Sequence, residues 1–246
     1  MTQRSPDGGH LPWLMAMRWS HLAFLHWPVP VDVLRPHVPA ALDVDTFDGE
    51  AWVGVVPFHM SGVRLRGTPA PPGPGAFHEL NVRTYVTHRG VAGVWFLSLD
   101  AASRTAVEAG RTAMHLRYLH ARIALDEQDG GIRYAARRVD RRGAPATFRA
   151  RYAPAGPGTV STPGSLEHFL TERYALYASE LTPRPQRRLW RADVTHEPWT
   201  IAPADHEVAG STLLDPYGID VRGRPPLAHV ATVPVDVRAR WRRRVA

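Results

Sequence analysis

Apolar residues in this chain recur mainly at every second position or in short unbroken runs, and only two stretches keep the three-to-four spacing of a helix. The runs His21–Trp27, Ala51–Phe58, Glu79–His88, Val94–Leu99, Tyr118–Leu125, Ile132–Val139, Thr147–Tyr152, Leu189–Thr195 and Leu227–Val230 predict strands, because Gly, Pro and Asp punctuate them. Asp129-Gly130-Gly131 predicts a tight hairpin. One helix is expected from about Ser103 to Ala109, with Ser103 as N-cap and Gly110 as its stop. A second follows Thr162-Pro163-Gly164-Ser165 and carries Leu166, Phe169, Leu170, Tyr174 and Tyr177 on one core-facing stripe. Arg64–Gly75 and Ala153–Gly158 read as Pro/Gly loops. No repeat of about 20 to 50 residues points to a solenoid or propeller. The pattern predicts a mainly β (α+β) chain, a barrel or sandwich with attached helices, forming a single domain over 1–246 with its core at roughly 13–233.

Two strands carry the candidate chemistry. In the first, Leu80, Val82, Thr84 and Val86 share one face, and Glu79, Asn81, Arg83, Tyr85 and Thr87 share the other. On an open sheet that second face is ordinary solvated surface; inside a barrel it is a polar cavity wall. In the second strand, Tyr118, His120 and Arg122 oppose Leu119, Ala121 and Ile123. If both polar faces line one pocket, Glu79 or His120 can serve as general base and Tyr118 or Tyr85 as donor, while Arg83 or Arg122 clamps a carboxylate bidentately.

Composition removes several alternatives. All 30 basic side chains are arginine, so a lysine Schiff base and a Walker-type phosphate loop are both excluded. The absence of cysteine excludes thiolate catalysis and disulfides. A codon bias toward Ala, Arg, Gly, Pro and Val is the leading explanation of the missing lysine, and the chemical consequence is the same. The 246 residues are 44% hydrophobic and 22% charged, enough for a sizeable core. The polar Met1–His10 segment and the lack of a long apolar stretch make the cytoplasm the expected location, without a membrane partner.

The net charge of +7 raises the question of nucleic acid, but no binding module or stacking aromatics accompany the arginine clusters, so no nucleic-acid partner is expected. The Arg238–Arg244 run reads as a frayed basic tail within 238–246. Thirteen histidines form no His-x-His or His-Glu-x-x-His, so no metal is expected. His26-Trp27 reads as a structural corner. Neither a serine-hydrolase elbow nor a dinucleotide loop is present, and no cofactor is expected.

The segments Phe24-Leu25-His26-Trp27-Pro28-Val29, Leu42–Gly54, Glu79–Val86, Val94–Ala101, Gly164–Tyr174 and His196-Glu197-Pro198-Trp199 resemble, in order, the DUF2071 (YqjF-like) family of uncharacterised bacterial proteins. The resemblance implies a fold similar to acetoacetate decarboxylase: a closed β-barrel with a central cavity and a few peripheral helices. It places the decarboxylase's reactive lysine near Tyr118, after Arg117, and a cavity glutamate at Glu79. A phenol thus stands where that fold would carry its amine.

Two functions are expected from this. One is a small-molecule enzyme of lyase, isomerase or hydratase type, acting on a small oxo- or hydroxy-acid by acid/base chemistry. Glu79, Tyr118 and His120 are its catalytic candidates, and Arg83, Tyr85, Arg122 and Asn81 its substrate-binding candidates. The other is a non-catalytic barrel that binds a small ligand. A homo-oligomer is compatible with either.

Overall fold

The computed structural model describes residues 12–68, 75–181 and 188–246. The polar Met1–His10 segment and half of the Arg64–Gly75 loop lie outside them. Among the described residues the strands run Trp13–Ser20 (β1), Ala23–Val29 (β2), Asp43–Val44 (β3), Ala51–Leu65 (β4), Phe77–His88 (β5), Val91–Ala101 (β6), Tyr118–Gln128 (β7), Gly131–Arg138 (β8), Thr147–Pro154 (β9), Thr159–Val160 (β10), Ala175–Ser179 (β11), Leu189–Thr195 (β12), Thr200–Ser211 (β13), Leu227–Ala231 (β14), Val235–Arg240 (β15) and Arg243–Arg244 (β16). The α-helices are Val31–Leu34 (α1), Arg104–Met114 (α2) and Leu166–Thr171 (α3).

The strand pairings close on themselves twice. One circuit runs β1–β15–β12–β11–β6–β5–β4 and back to β1; the other runs β6–β7–β8–β9–β13–β14–β2–β4–β5 and back to β6. Because β4, β5 and β6 belong to both, each has a core on either side. This is why Ala51-Trp52-Val53-Gly54-Val55-Val56 reads as an unbroken apolar run: strands buried on both faces lose their polar alternation. Leu25, Val55, Leu80, Val82, Tyr134 and Phe148 pack on one side, and Phe24, Val56, Phe58, Ala101, Trp199 and Val237 on the other. On β6 one extra residue, Leu97, interrupts the pairing with β5, and that bulge keeps Phe96 opposite Arg83 on the face of Glu79.

Both helices begin where their caps predict. The Ala106 amide donates to Ser103 Oγ at 3.2 Å, and the His168 amide to Ser165 Oγ at 3.2 Å. Their ends differ from expectation. Gly110 does not stop α2, which continues to Met114 and closes on left-handed His115 (φ 55°). Glycine is needed at position 110 because a Cβ would run into the Tyr118 ring. The second helix stops at Thr171, leaving Tyr174 outside it and Tyr177 on β11. Pairing of that segment with β6 and β12 overrides its helical spacing.

The arginine-rich end is not frayed. Val235, Val237 and Ala239 alternate inward along β15, which pairs with β1 and β12, and β16 adds a short bridge to β12. The Arg242 guanidinium lies 4.4 Å from the Trp190 ring centre and donates to His115 Nε2 at 3.0 Å. Among the described residues no helix is long and apolar enough to cross a membrane.

Candidate functional site

The polar face of β5 points into the circuit that contains β1, and it is dry. Glu79, Asn81 and Tyr85 are buried and Arg83 is half-buried, so the solvated-surface reading of this face does not hold. Strand register sets the neighbours: Glu79 pairs with Ala101 and Ala101 with His120, while Asn81 pairs with Leu99 and Leu99 with Tyr118. Residues paired in register share a face, so Tyr118 lies diagonal to Glu79 two strands away.

Tyr118 closes that diagonal. Its hydroxyl donates to Glu79 Oε2 at 2.8 Å. Gly110 leaves room for the ring, and Arg111 Nη1 donates to the Tyr118 carbonyl at 2.9 Å. From the other core, the Tyr134 hydroxyl donates to the Glu79 carbonyl at 2.8 Å. Burial pushes the Glu79 carboxyl up to about 8; the bond from Tyr118 opposes that shift and the nearby Asp100 charge adds to it. Burial and the neighbouring carboxyl push the Tyr118 phenol well above its ordinary range. Asp100 faces away from this site, in a bidentate pair with Arg138 at 2.7 Å through both oxygens.

A second polar group sits further along β5. His26, Gly54 and Arg83 form one row across β2, β4 and β5. His26 Nε2 and the Tyr85 hydroxyl are 2.6 Å apart. The Tyr85 hydroxyl and Arg83 Nη2 donate to the Leu170 carbonyl at 2.8 and 3.0 Å. That carbonyl is available because the last turn of a helix has no intrahelical donors for its oxygens. The Arg83 guanidinium lies 5.3 Å from the Phe24 ring centre and 5.6 Å from that of Tyr85. Beyond it, Arg173 pairs with Asp45 at 2.6 Å and covers the Phe169 ring at 4.1 Å. Burial, with Arg83 and His229 nearby, holds His26 well below the usual imidazole range, so it is neutral. His26 Nδ1, Asn81 Oδ1 and Arg83 Nε are buried without a partner among the described residues. Buried polar groups of this kind are ordinarily met by a partner, an ordered water among them.

The structure therefore joins Glu79 with Tyr118 and Arg83 with Tyr85, with Asn81 between the pairs on the same strand. His120 shares the row of Glu79; it is half-buried, and its amide donates to Asp140 Oδ2 at 3.0 Å. Arg122 does not join the site. The pairing of β7 with β6 ends at His120, so the next residue on that face is exposed and lies opposite Arg137 of the β8 hairpin. Sequence reasoning missed the part played by His26 with Tyr85, and the Arg173–Asp45 and Asp100–Arg138 pairs. Gly54 was a usable signal for His26: a glycine inside a bulky apolar strand marks a close approach. Among the described residues no three His, Asp or Glu side chains converge as metal ligands.

Comparison with known proteins adds a family and a fold. A family model for DUF2071, described as an uncharacterized conserved protein, matches residues 16–234. The uncharacterized protein YqjF of Bacillus subtilis (strain 168) is 38% identical over 226 residues, covering 92% of this chain and 89% of the relative. Among solved structures, acetoacetate decarboxylase from Legionella pneumophila superposes with a TM-score of 0.65 at 14% identity, covering 94% of this chain and 87% of that one. The enduracididine biosynthesis enzyme MppR, complexed with pyruvate, has a TM-score of 0.64 at 12% identity, covering 98% and 95%. At such identities the likeness shows the acetoacetate decarboxylase-like fold.

Proposed function

The chain belongs to the DUF2071 family of uncharacterized conserved proteins, and from that premise we propose that its β5 face is an acid–base site for a small oxo- or hydroxy-acid. The observation that carries this reading is the Glu79–Tyr118 pair, a buried carboxyl pushed up to about 8 and held by a phenol at 2.8 Å. A group with a pKa near the working pH can both give and take a proton, which is what general acid–base catalysis requires. With no lysine in the chain, the reaction proceeds without an imine.

In the proposed step Glu79 takes a proton from the carbon beside the substrate carbonyl. The Tyr118 hydroxyl then donates to the enolate oxygen that develops, and Glu79 returns the proton in the reverse or onward direction. Arg83 holds the carboxylate, Tyr85 fixes Arg83, Asn81 contacts the substrate between the two polar groups, and His120 supplies a second titratable group in the Glu79 row. Enolisation, aldol and dehydration steps, which lyase, isomerase and hydratase chemistry draws on, use such a proton transfer. That similarly folded proteins include a decarboxylase and an enzyme complexed with pyruvate supports a small oxo-acid as substrate class.

The test has two stages. A thermal-shift screen of small oxo-, hydroxy- and enoic acids finds ligands, since one present at 100 times its Kd stabilises by about 2.7 kcal/mol. Deuterium exchange at the carbon next to the carbonyl of the hits, followed by NMR in D2O, then reads proton transfer. Wild-type protein should catalyse exchange and Glu79→Gln should not. Exchange at the wild-type rate in Glu79→Gln overturns the reading. Tight packing around Glu79, which is 2% exposed, favours the second reading, a ligand-binding barrel without turnover; binding with no exchange would support it.

A further inference from the structure

We infer that the outer face of β7, β8, β9 and β13 docks an acidic segment of a partner protein, one that sets an apolar side chain among carboxylates. This face is separate from the Glu79–Tyr118 pair, and the inference stands whether or not that pair turns a substrate over.

Strand alternation creates the face. Ile123, Leu125, Tyr134, Phe148 and Val208 pack onto the core, so the residues between them turn outward. Register sets Arg122 opposite Arg137, Ala124 opposite Ala135 and Arg133 opposite Arg151, with Arg149 beside Ala135 on β9. All of these are exposed. Two of the pairs put like charges directly opposite each other, an arrangement that destabilises a sheet. Among the described residues Arg151 forms the one ion pair of this face, with Asp205 at 3.6 Å, and Arg122, Arg133, Arg137 and Arg149 form none.

The charges surround a hollow. Ala124 and Ala135 stop at Cβ, and together with Arg133, Arg149 and Arg151 they line a cavity of about 370 Å³; Asp126 on β7 and Glu207 on β13 line it too. Those two carboxylates oppose a uniform polyphosphate such as a nucleic-acid backbone, and no outward residue of the four strands offers an aromatic ring for a base to stack on. A small anion meets one or two exposed guanidiniums, each worth little in water. The net charge of +7 works against a second copy of the chain. A protein segment of mixed but mainly acidic charge meets the unpaired arginines together and offers Asp126 and Glu207 cations of its own. It also seats an apolar side chain on the alanine floor, giving the central anchor and polar rim of a protein interface.

The probe is a fluorescein-labelled peptide of glutamates around one central leucine, read by fluorescence polarisation on the full chain. It should bind the wild type, more weakly as salt is added, and at least tenfold more weakly to the double variant Arg137→Glu with Arg149→Glu. Arg64→Glu with Arg66→Glu makes the same charge change at exposed positions elsewhere and should stay within about twofold of the wild type. Circular dichroism checks that both double variants fold. Replacing the peptide's leucine with glycine should weaken binding to the wild type several-fold, a readout that needs no variant. The inference is overturned if the peptide does not bind, if both double variants lose affinity equally, or if the leucine makes no difference. Tighter binding of a short DNA duplex overturns it in favour of polyphosphate. A dimer in analytical ultracentrifugation that Arg137→Glu with Arg149→Glu dissociates overturns it in favour of a second copy.

Discussion

The Tyr118 hydroxyl donates to Glu79 Oε2 at 2.8 Å, across two strands and on a diagonal that the β5–β6–β7 register alone creates. The arginine on the same face of β5 sits four residues away, against Phe24 and Tyr85. Glu79 is a carboxyl governed first by burial, then by the Tyr118 phenol and the nearby Asp100 charge.

This arrangement gives folding stability a defined pH dependence. Glu79 moves from an ordinary 4.5 to about 8, so between those values the folded chain holds a proton that the unfolded chain has released. The stabilising contribution is complete below the unfolded value and is lost as pH rises through about 8. Denaturant unfolding at several pH values across this window should show Glu79's share of the falling slope removed in Glu79→Gln. A variant with an unchanged slope would mean that Glu79 ionises normally.

Replacing Tyr118 with Phe removes the hydrogen bond that lowers the Glu79 pKa. The carboxyl should titrate higher still, and the alkaline rise of deuterium exchange should move up in pH with it. A buried acceptor losing its donor costs about 1–3 kcal/mol, measurable by denaturant unfolding.

Gly110→Ala separates helix propensity from site geometry. In an exposed helix interior the change stabilises by about 1 kcal/mol. Here the new methyl meets the Tyr118 ring, so a net destabilisation of about 1–3 kcal/mol is expected, as for other overpacked positions. Exchange activity should fall with it. A more stable, fully active Gly110→Ala protein would show that the ring has room to move.

The Asp100–Arg138 pair behaves as a unit. Both side chains are nearly inaccessible, and Arg138 also donates to Ser98 Oγ at 3.1 Å and to the Ala144 carbonyl at 2.9 Å. Arg138→Met alone should destabilise by about 3–5 kcal/mol because it strands a buried carboxylate, whereas Asp100→Leu with Arg138→Met should recover most of that loss. Urea midpoints of the single and double variants decide it.

Much of this was legible in the chain. Alternation located β5 and β7 and sorted their side chains onto faces, and Ser103 and Ser165 marked both helix starts. The Tyr174 and Tyr177 positions misled because helical spacing over a few residues cannot compete with a strand slot open between β6 and β12. The arginine-rich end misled because charge obscured the alternation of Val235, Val237 and Ala239. His26 with Tyr85 and Arg138 with Asp100 lie 59 and 38 positions apart, distances over which no local spacing rule operates.

Sequence by itself determined the β character of the chain, the two faces of each strand, and a chemistry without lysine or cysteine. Tertiary structure decided which polar face is dry. Tyr118 and Arg122 lie on the same face of one strand, yet the first is held against a buried carboxyl and the second is in water. Period-two geometry says which way a side chain points and nothing of what lies opposite it. Closure of the strand circuits supplies that, and with it the loss of solvent that turns Glu79 from a surface charge into a proton donor near neutral pH.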